Sequence, residues 1–211
     1  MAKSRALVLL LGAAAVLSGC GTGRVSMSDT QAARPISGVV CPPAGTVAVR
    51  DDATHVRYAG ADPADPAVCL VRGPAGTTQR MIGGLISTHP VNDAQRRAAI
   101  AGLFPLAPGK ATSVSYTLVS PLVPHPQAFP FEESFRVSGD SSYNLNGTTR
   151  PTWVVESSLR SQLDPAANFN MTYNIDKETG VILSYNIYTH TGGNLASRPF
   201  RVTQLELPGR L

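Results

Sequence analysis

Three kinds of residue in this chain have the chemistry for a site: hydroxyls beside acids, histidines, and cysteines. Gly139-Asp140-Ser141-Ser142 gathers serine hydroxyls in a short polar run. Asp52-Ala53-Thr54-His55 sets an imidazole three residues after a carboxylate. A serine becomes a nucleophile when an imidazole takes its proton and a carboxylate orients that imidazole. Together the two segments hold the parts of a hydrolase assembled in space. The four histidines, His55, His89, His125 and His190, share no metal-ligand spacing such as i, i+4 on a helix. His89 and His125 each precede a proline, which places them in loops. Asp62-Pro63-Ala64-Asp65 offers oxygens to calcium but lacks the glycine turn and distal glutamate of a calcium loop. No metal and no cofactor is expected.

The Gly-Asp-Ser step at 139–141 resembles the nucleophile turn of the lipase-like esterases, and Asp52–His55 has their Asp-x-x-His spacing. That resemblance implies a serine hydrolase with an α/β fold. Two departures speak against it. In that family the nucleophile precedes the Asp-His pair, and here it follows. The helices of an α/β fold are also missing from the pattern, as is any Gly-x-Ser-x-Gly. A polar turn between strands accounts for residues 139–142, and the protein is expected not to be an enzyme.

The N-terminus is informative. Lys3 and Arg5 precede an apolar run from Ala6 to Leu17, then Ser18-Gly19-Cys20. That run is shorter than the ~20 residues a spanning helix needs and suits the apolar part of a signal peptide. Leu17-Ser18-Gly19-Cys20 is similar to the lipobox of bacterial lipoproteins. The resemblance implies cleavage before Cys20, a diacylglyceryl thioether on its sulfur, and acylation of the new amine. Two or more chains hold a protein on a membrane stably, where one holds it marginally. Gly21 follows, and not the Asp that retains such proteins at the inner membrane. The expected address is the bacterial cell envelope, the outer membrane being favoured if the organism has one.

Residues 1–19 then form the signal peptide, 20–40 the lipidated cysteine with a Gly-, Ser-, Thr- and Ala-rich flexible tether, and 41–211 a single β-rich domain. Removing the charges of Lys3 and Arg5 from the whole-chain +4 leaves about +2. The basic residues are scattered, so nucleic acid is not an expected partner. With Cys20 committed to lipid, Cys41 and Cys69 remain as a pair in an oxidising compartment. A disulfide between them is expected, two buried thiols or half of a metal site being the alternatives.

What would position any site is mostly sheet. Thr46–Val49 and His55–Tyr58 flank the turn signal Asp51-Asp52, predicting a hairpin. Ala59–Pro66 reads as a loop by its Gly and Pro content, and Val68–Val71 as a short buried strand. One helix is predicted over about 92–104. Asn92 and Gln95 make a capping-box pattern, Ile100, Leu103 and Phe104 an apolar face, and Arg96 and Arg97 point to water. Strands follow. Phe129, Phe131, Phe135 and Val137 share a parity interrupted by Glu133, and Trp153 and Val155 alternate with Thr152 and Glu156. Phe169, Met171, Tyr173 and Ile175 alternate with asparagines and Thr172. Asp176–Gly180 turns the chain, and Val181, Leu183, Tyr185 and Ile187 return it, before a last strand over about 200–207. The fold class is mainly β: eight to ten strands in a curved antiparallel sheet or partly open barrel, with the helix packed on it.

Phe104-Pro105-Leu106-Ala107-Pro108-Gly109-Lys110, followed by a strand, resembles a PL-x-x-G-K strand start seen in uncharacterised β-rich bacterial envelope proteins. The run from Phe135-Arg136-Val137-Ser138-Gly139 through Trp153 to the 176–180 hairpin is similar to the same group. This chain has Asn146-Gly147-Thr148-Thr149 where that group has an Ala-Gly-x-Phe step. The resemblance implies the β-rich fold and brings no catalytic residue. The aromatic set, Phe131, Phe135, Tyr173 and Tyr185 above all, fills a core or lines an apolar cavity on the concave face. The expected function is therefore a non-enzymatic envelope module that meets a protein partner. A carrier of a lipid or small hydrophobic ligand is the alternative.

Overall fold

The computed structural model describes residues 36–73, 76–88, 93–120, 127–165, 168–189 and 198–209. Its elements are β1 (Val47–Arg50), β2 (His55–Asp62), β3 (Asp65–Arg72), β4 (Thr78–Ile82), β5 (Ile86–Ser87), α1 (Asp93–Leu103), β6 (Ala111–Ser120), β7 (Gln127–Leu145), β8 (Thr148–Ser161), β9 (Phe169–Asp176), β10 (Ile182–Thr189) and β11 (Phe200–Glu206). They form one eleven-stranded sheet in the order β5-β4-β3-β2-β1-β11-β10-β9-β8-β7-β6. Every described pairing is antiparallel. The sheet is not closed. Two meanders, β1–β5 and β6–β11, meet where β1 pairs with β11.

The sheet curls around α1. Ile100 and Leu103 of the helix are fully buried in one cluster with Val68 and Ile82 from one end of the sheet and Phe135, Val137 and Val155 from the other. Ile36 belongs to the same cluster and Val39 packs on it, so ordered packing reaches upstream of Cys41. Cys41 is bonded to Cys69 with Cα atoms 5.2 Å apart, and this ties the start of the body to β3. The outer face carries a smaller cluster of Ala48, Tyr143, Val181, Leu183 and Val202. It is covered by the far end of β7, from which the buried Tyr143 hydroxyl donates to the Val202 carbonyl at 2.8 Å.

Four expectations are corrected. Ala59–Pro66 is not a loop: β2 and β3 run through it and leave only Pro63 and Ala64 between them. Its Gly belongs to a register shift, with Gly60 at φ 85°, and the Asp62 carboxylate accepts from Ala64 N at 2.9 Å to close the turn. The strand count exceeds eight to ten because β4 and β5 are short and lie in a polar, glycine-bearing stretch. Arg96 and Arg97 do not point to water. Arg96 Nε lies 3.2 Å from Glu133 Oε2, and Arg97 Nη2 donates to Asp65 Oδ1 at 2.8 Å. Glu133 is only 5% exposed among apolar neighbours, and a buried carboxylate needs a cation; the helix supplies it. The Arg97 bonds also hold the Asp65 carboxyl below its ordinary range. Finally, Val181, Leu183, Tyr185 and Ile187 do not share a face. A register shift between Ile182 and Ser184 sends Val181 and Leu183 to the outer cluster, and Ile182, Tyr185 and Ile187 to the inner one. The helix spans Asp93–Leu103; the Asn92 cap lies outside the described residues.

Candidate functional site

Five segments remote in sequence meet at one cleft of about 200 Å³, lined by apolar side chains together with polar surface. Gly38 and Val40 form one wall and Gly83-Gly84, between β4 and β5, another. Phe104-Pro105-Leu106, just after α1, gives the floor. Trp153 of β8 and the β9–β10 hairpin, from Ile175 to Ile182, complete it. Glycine is required where these segments touch. A Cβ on Gly180 (φ 72°) would collide with the Val40 carbonyl oxygen. One on Gly83 (φ 60°) would sit 2.7 Å from the Phe104 ring. Gly180→Ala is therefore expected to cost more than the ~1–3 kcal/mol of left-handed strain alone, because the 36–40 segment must also move. Chemical denaturation checks this; a midpoint within error of the parent would refute the contact.

Beneath the cleft the β9–β10 turn is built on one carboxylate. Asp176 is 1% exposed. It accepts from Arg150 Nε at 3.1 Å, Thr179 Oγ1 at 2.7 Å and Glu178 N at 3.2 Å. Arg150 also reaches Glu178 at 3.1 Å. At the rim, Lys177 Nζ lies 3.7 Å from the Trp153 ring centre and 2.8 Å from Asp140. So both ionisable side chains of the lining are engaged, Asp176 by Arg150 and Lys177 by Asp140. The cleft presents the Phe104–Leu106 floor under an ion-paired lip, with a shape suited to seating an apolar group.

The residues singled out from sequence lie elsewhere. Phe135, Tyr173 and Tyr185 belong to the inner core, at 2%, 8% and 8% exposure. Tyr173 and Tyr185 stack at 5.2 Å, and Tyr185 meets Phe200 at 5.7 Å. Phe131 is half-buried against Tyr116, ring centres 6.0 Å apart. Burial, before the nearby Glu133 charge, pushes the Tyr116 hydroxyl up to about 12. None of the four lines the cleft. Gly139–Ser142 is not a turn but part of β7, with Asp140 paired to Lys177. His55 is exposed on β2, and Asp52 accepts from Thr54 N at 2.9 Å. Asp62 pairs with Arg80 and Asp65 with Arg97, which makes 62–65 a braced turn. His89, His125, His190 and Cys20 lie outside the described residues.

No family model matches this chain. No curated protein matches it either. Among solved structures it is similar to the hypothetical lipoprotein YmcC from Escherichia coli (K12). The identity is 11% and the TM-score 0.41, over 69% of this chain and 79% of that one.

The cleft was not legible in advance. Gly83-Gly84 and Gly38 carry no chemistry of their own, and Asp176 reads as an ordinary turn acid. The usable signal is the Asp-x-x-Thr-Gly hairpin, whose sequence marks a turn but not the arginine buried beside it.

Proposed function

We propose that this chain is a lipid-anchored component of the bacterial cell envelope that works by binding a protein partner, not by catalysis. The size of the cleft carries this reading. Small-molecule sites occupy about 300–1,000 Å³, and at about 200 Å³ this cleft holds one large apolar side chain rather than a lipid tail. An aromatic or aliphatic anchor in a shaped apolar pocket, ringed by polar groups, is how protein interfaces concentrate their energy. The concave aromatic face supports the same view. It is occupied by α1, with Phe135, Val137 and Val155 at 2%, 0% and 0% exposure. Wider depressions, such as the one of about 740 Å³ between the β7–β8 tip and β11, are open to solvent.

The anchor rests on the lipobox at Leu17–Cys20. Cys20→Ala is expected to move the protein out of the membrane fraction; membrane retention of that variant would defeat the anchor. Binding mode is tested by native mass spectrometry of the full mature protein released gently from membranes. The expected mass is polypeptide plus anchor acyl groups. A further stoichiometric adduct of lipid mass would overturn the partner-binding reading in favour of a carrier.

A further inference from the structure

Five of the described arginines are half-buried, and four of them face a side-chain oxygen. Arg96 lies on Glu133, Arg97 on Asp65 and Arg150 on Asp176, and Arg160 donates to Asn170 Oδ1 at 2.7 Å. Arg50, the last residue of β1, is the exception. Its buried Nε has no hydrogen-bond partner among the described residues. The guanidinium lies over the Phe200 ring, 3.7 Å from its centre. The two carboxylates that follow Arg50 in sequence accept from backbone amides instead. Asp51 Oδ1 takes Arg201 N at 3.1 Å and Asp52 Oδ1 takes Thr54 N at 2.9 Å. Burial, against the opposing influence of Tyr58, Asp52 and Asp51, lowers the Arg50 pKa below its ordinary value. A buried charged donor left without an acceptor is costly, and an acceptor brought to it binds strongly.

Arg50 lines a pocket of about 90 Å³ together with Tyr58 of β2, Gln79 of β4 and an apolar set that includes Val56, Val71 and Met81. Burial pushes the Tyr58 hydroxyl up to about 12, so it stays protonated and able to donate. The volume is below the ~150 Å³ of a cavity that takes benzene, which leaves room for a small acid group and a short stem. The chemistry of the acid follows from the donors. A planar guanidinium edge matches the two oxygens of a carboxylate. One cation beside Asp51 and Asp52 suits a monoanion better than a phosphate dianion, which both carboxylates would repel.

We propose that this pocket is a carboxylate-binding site, in which the Arg50 guanidinium receives the acid group and the Val56, Val71 and Met81 walls take a short apolar stem. A short-chain aliphatic acid carries such a group, and so does a glutamate side chain of a partner protein. The two share this chemistry and differ in what lies beyond the stem. The pocket adjoins the cleft at Gly84, Gly180 and Ile182. Its chemistry depends neither on what fills the cleft nor on the lipid anchor, so either reading can fail alone.

The arginine Nε–H NMR signals of the full mature protein in detergent, titrated with butyrate, test it. The signal that Arg50→Gln removes is expected to shift saturably. Butyramide, which has the same shape without the charge, is expected to leave it in place. In equilibrium dialysis, Arg50→Gln is expected to weaken butyrate binding at least about tenfold, the scale of a hydrogen bond to a charged group. Arg50→Lys keeps the charge and loses the planar fork; it is expected to weaken binding as well, and it covers the case in which the glutamine variant misfolds. Binding of a glutamate capped at both ends would assign the site to a partner's side chain, and binding of butyrate alone to a free acid; either upholds a carboxylate site. An Arg50 signal that neither acid moves, an equal response to butyramide, or tighter binding of inorganic phosphate than of both acids would overturn the proposal.

Discussion

Replacing Arg150 by alanine is expected to lower the unfolding free energy by roughly 3–5 kcal/mol, the cost of leaving a buried carboxylate without its cation. The Asp176 side chain has no exposure to water, and that of Arg150 is 11% exposed. Thr179 and the Glu178 amide remain in Arg150→Ala, but neither supplies charge. Urea denaturation measures the loss. The double variant Arg150→Met/Asp176→Asn is expected to recover a large part of it, because both the charge and its partner are gone together. Equal losses in the single and double variants would show that the pair is not the cause. Since Asp176 organises the turn that carries Lys177 and Gly180, the single variant should also release the wall of the cleft.

The Cys41–Cys69 bond is the second large contribution. Its sequence separation is 28 residues, and a loop of that length stabilises by roughly 3–4 kcal/mol in the chain-entropy account. The double substitution Cys41→Ala/Cys69→Ala is expected to lose about that much. Its loss should appear as a lower denaturation midpoint, and the parent under reducing conditions should follow it. A shift below about 1 kcal/mol would mean that the chain before β1 is held by packing alone. Ile36 and Val39 provide that packing, so the two contributions can be separated by experiment.

Much of the fold was legible because alternation is a strong signal. Phe169–Asn174 pairs in one register with Ser184–Thr189, and the hairpin through Gly180 forms where its turn residues put it. The apolar face Ile100, Leu103, Phe104 is buried as spacing requires. Three kinds of information were not in the pattern. A single extra residue at Leu183 reverses the facing of everything after it, and no residue type announces it. The surface appearance of Arg96 and Arg97 was misleading because their partners, Glu133 and Asp65, lie 37 and 32 residues away. The parity break at Glu133 was visible, yet it reads as an interruption until a cation is known to face it. The candidate cleft was hidden for a similar reason. It is a junction of five segments, three of which approach through the absence of side chains at Gly38, Gly83, Gly84 and Gly180.

The seam between β1 and β11 has a consequence for how the protein comes into being. Val47 faces Glu206, the two ends of the body, at the centre of the sheet and not at its rim. Hairpins such as β2–β3 and β7–β8 need only local chain and can form as soon as their residues emerge, whereas this pairing waits for the last strand. For a chain made from its N-terminus, β1–β5 can pair before β11 exists, and the C-terminal strand acts as the latch. A premature stop before Phe200 would leave β1 and β10 as two new bare edges in the middle of the molecule, each ready to pair with the wrong chain.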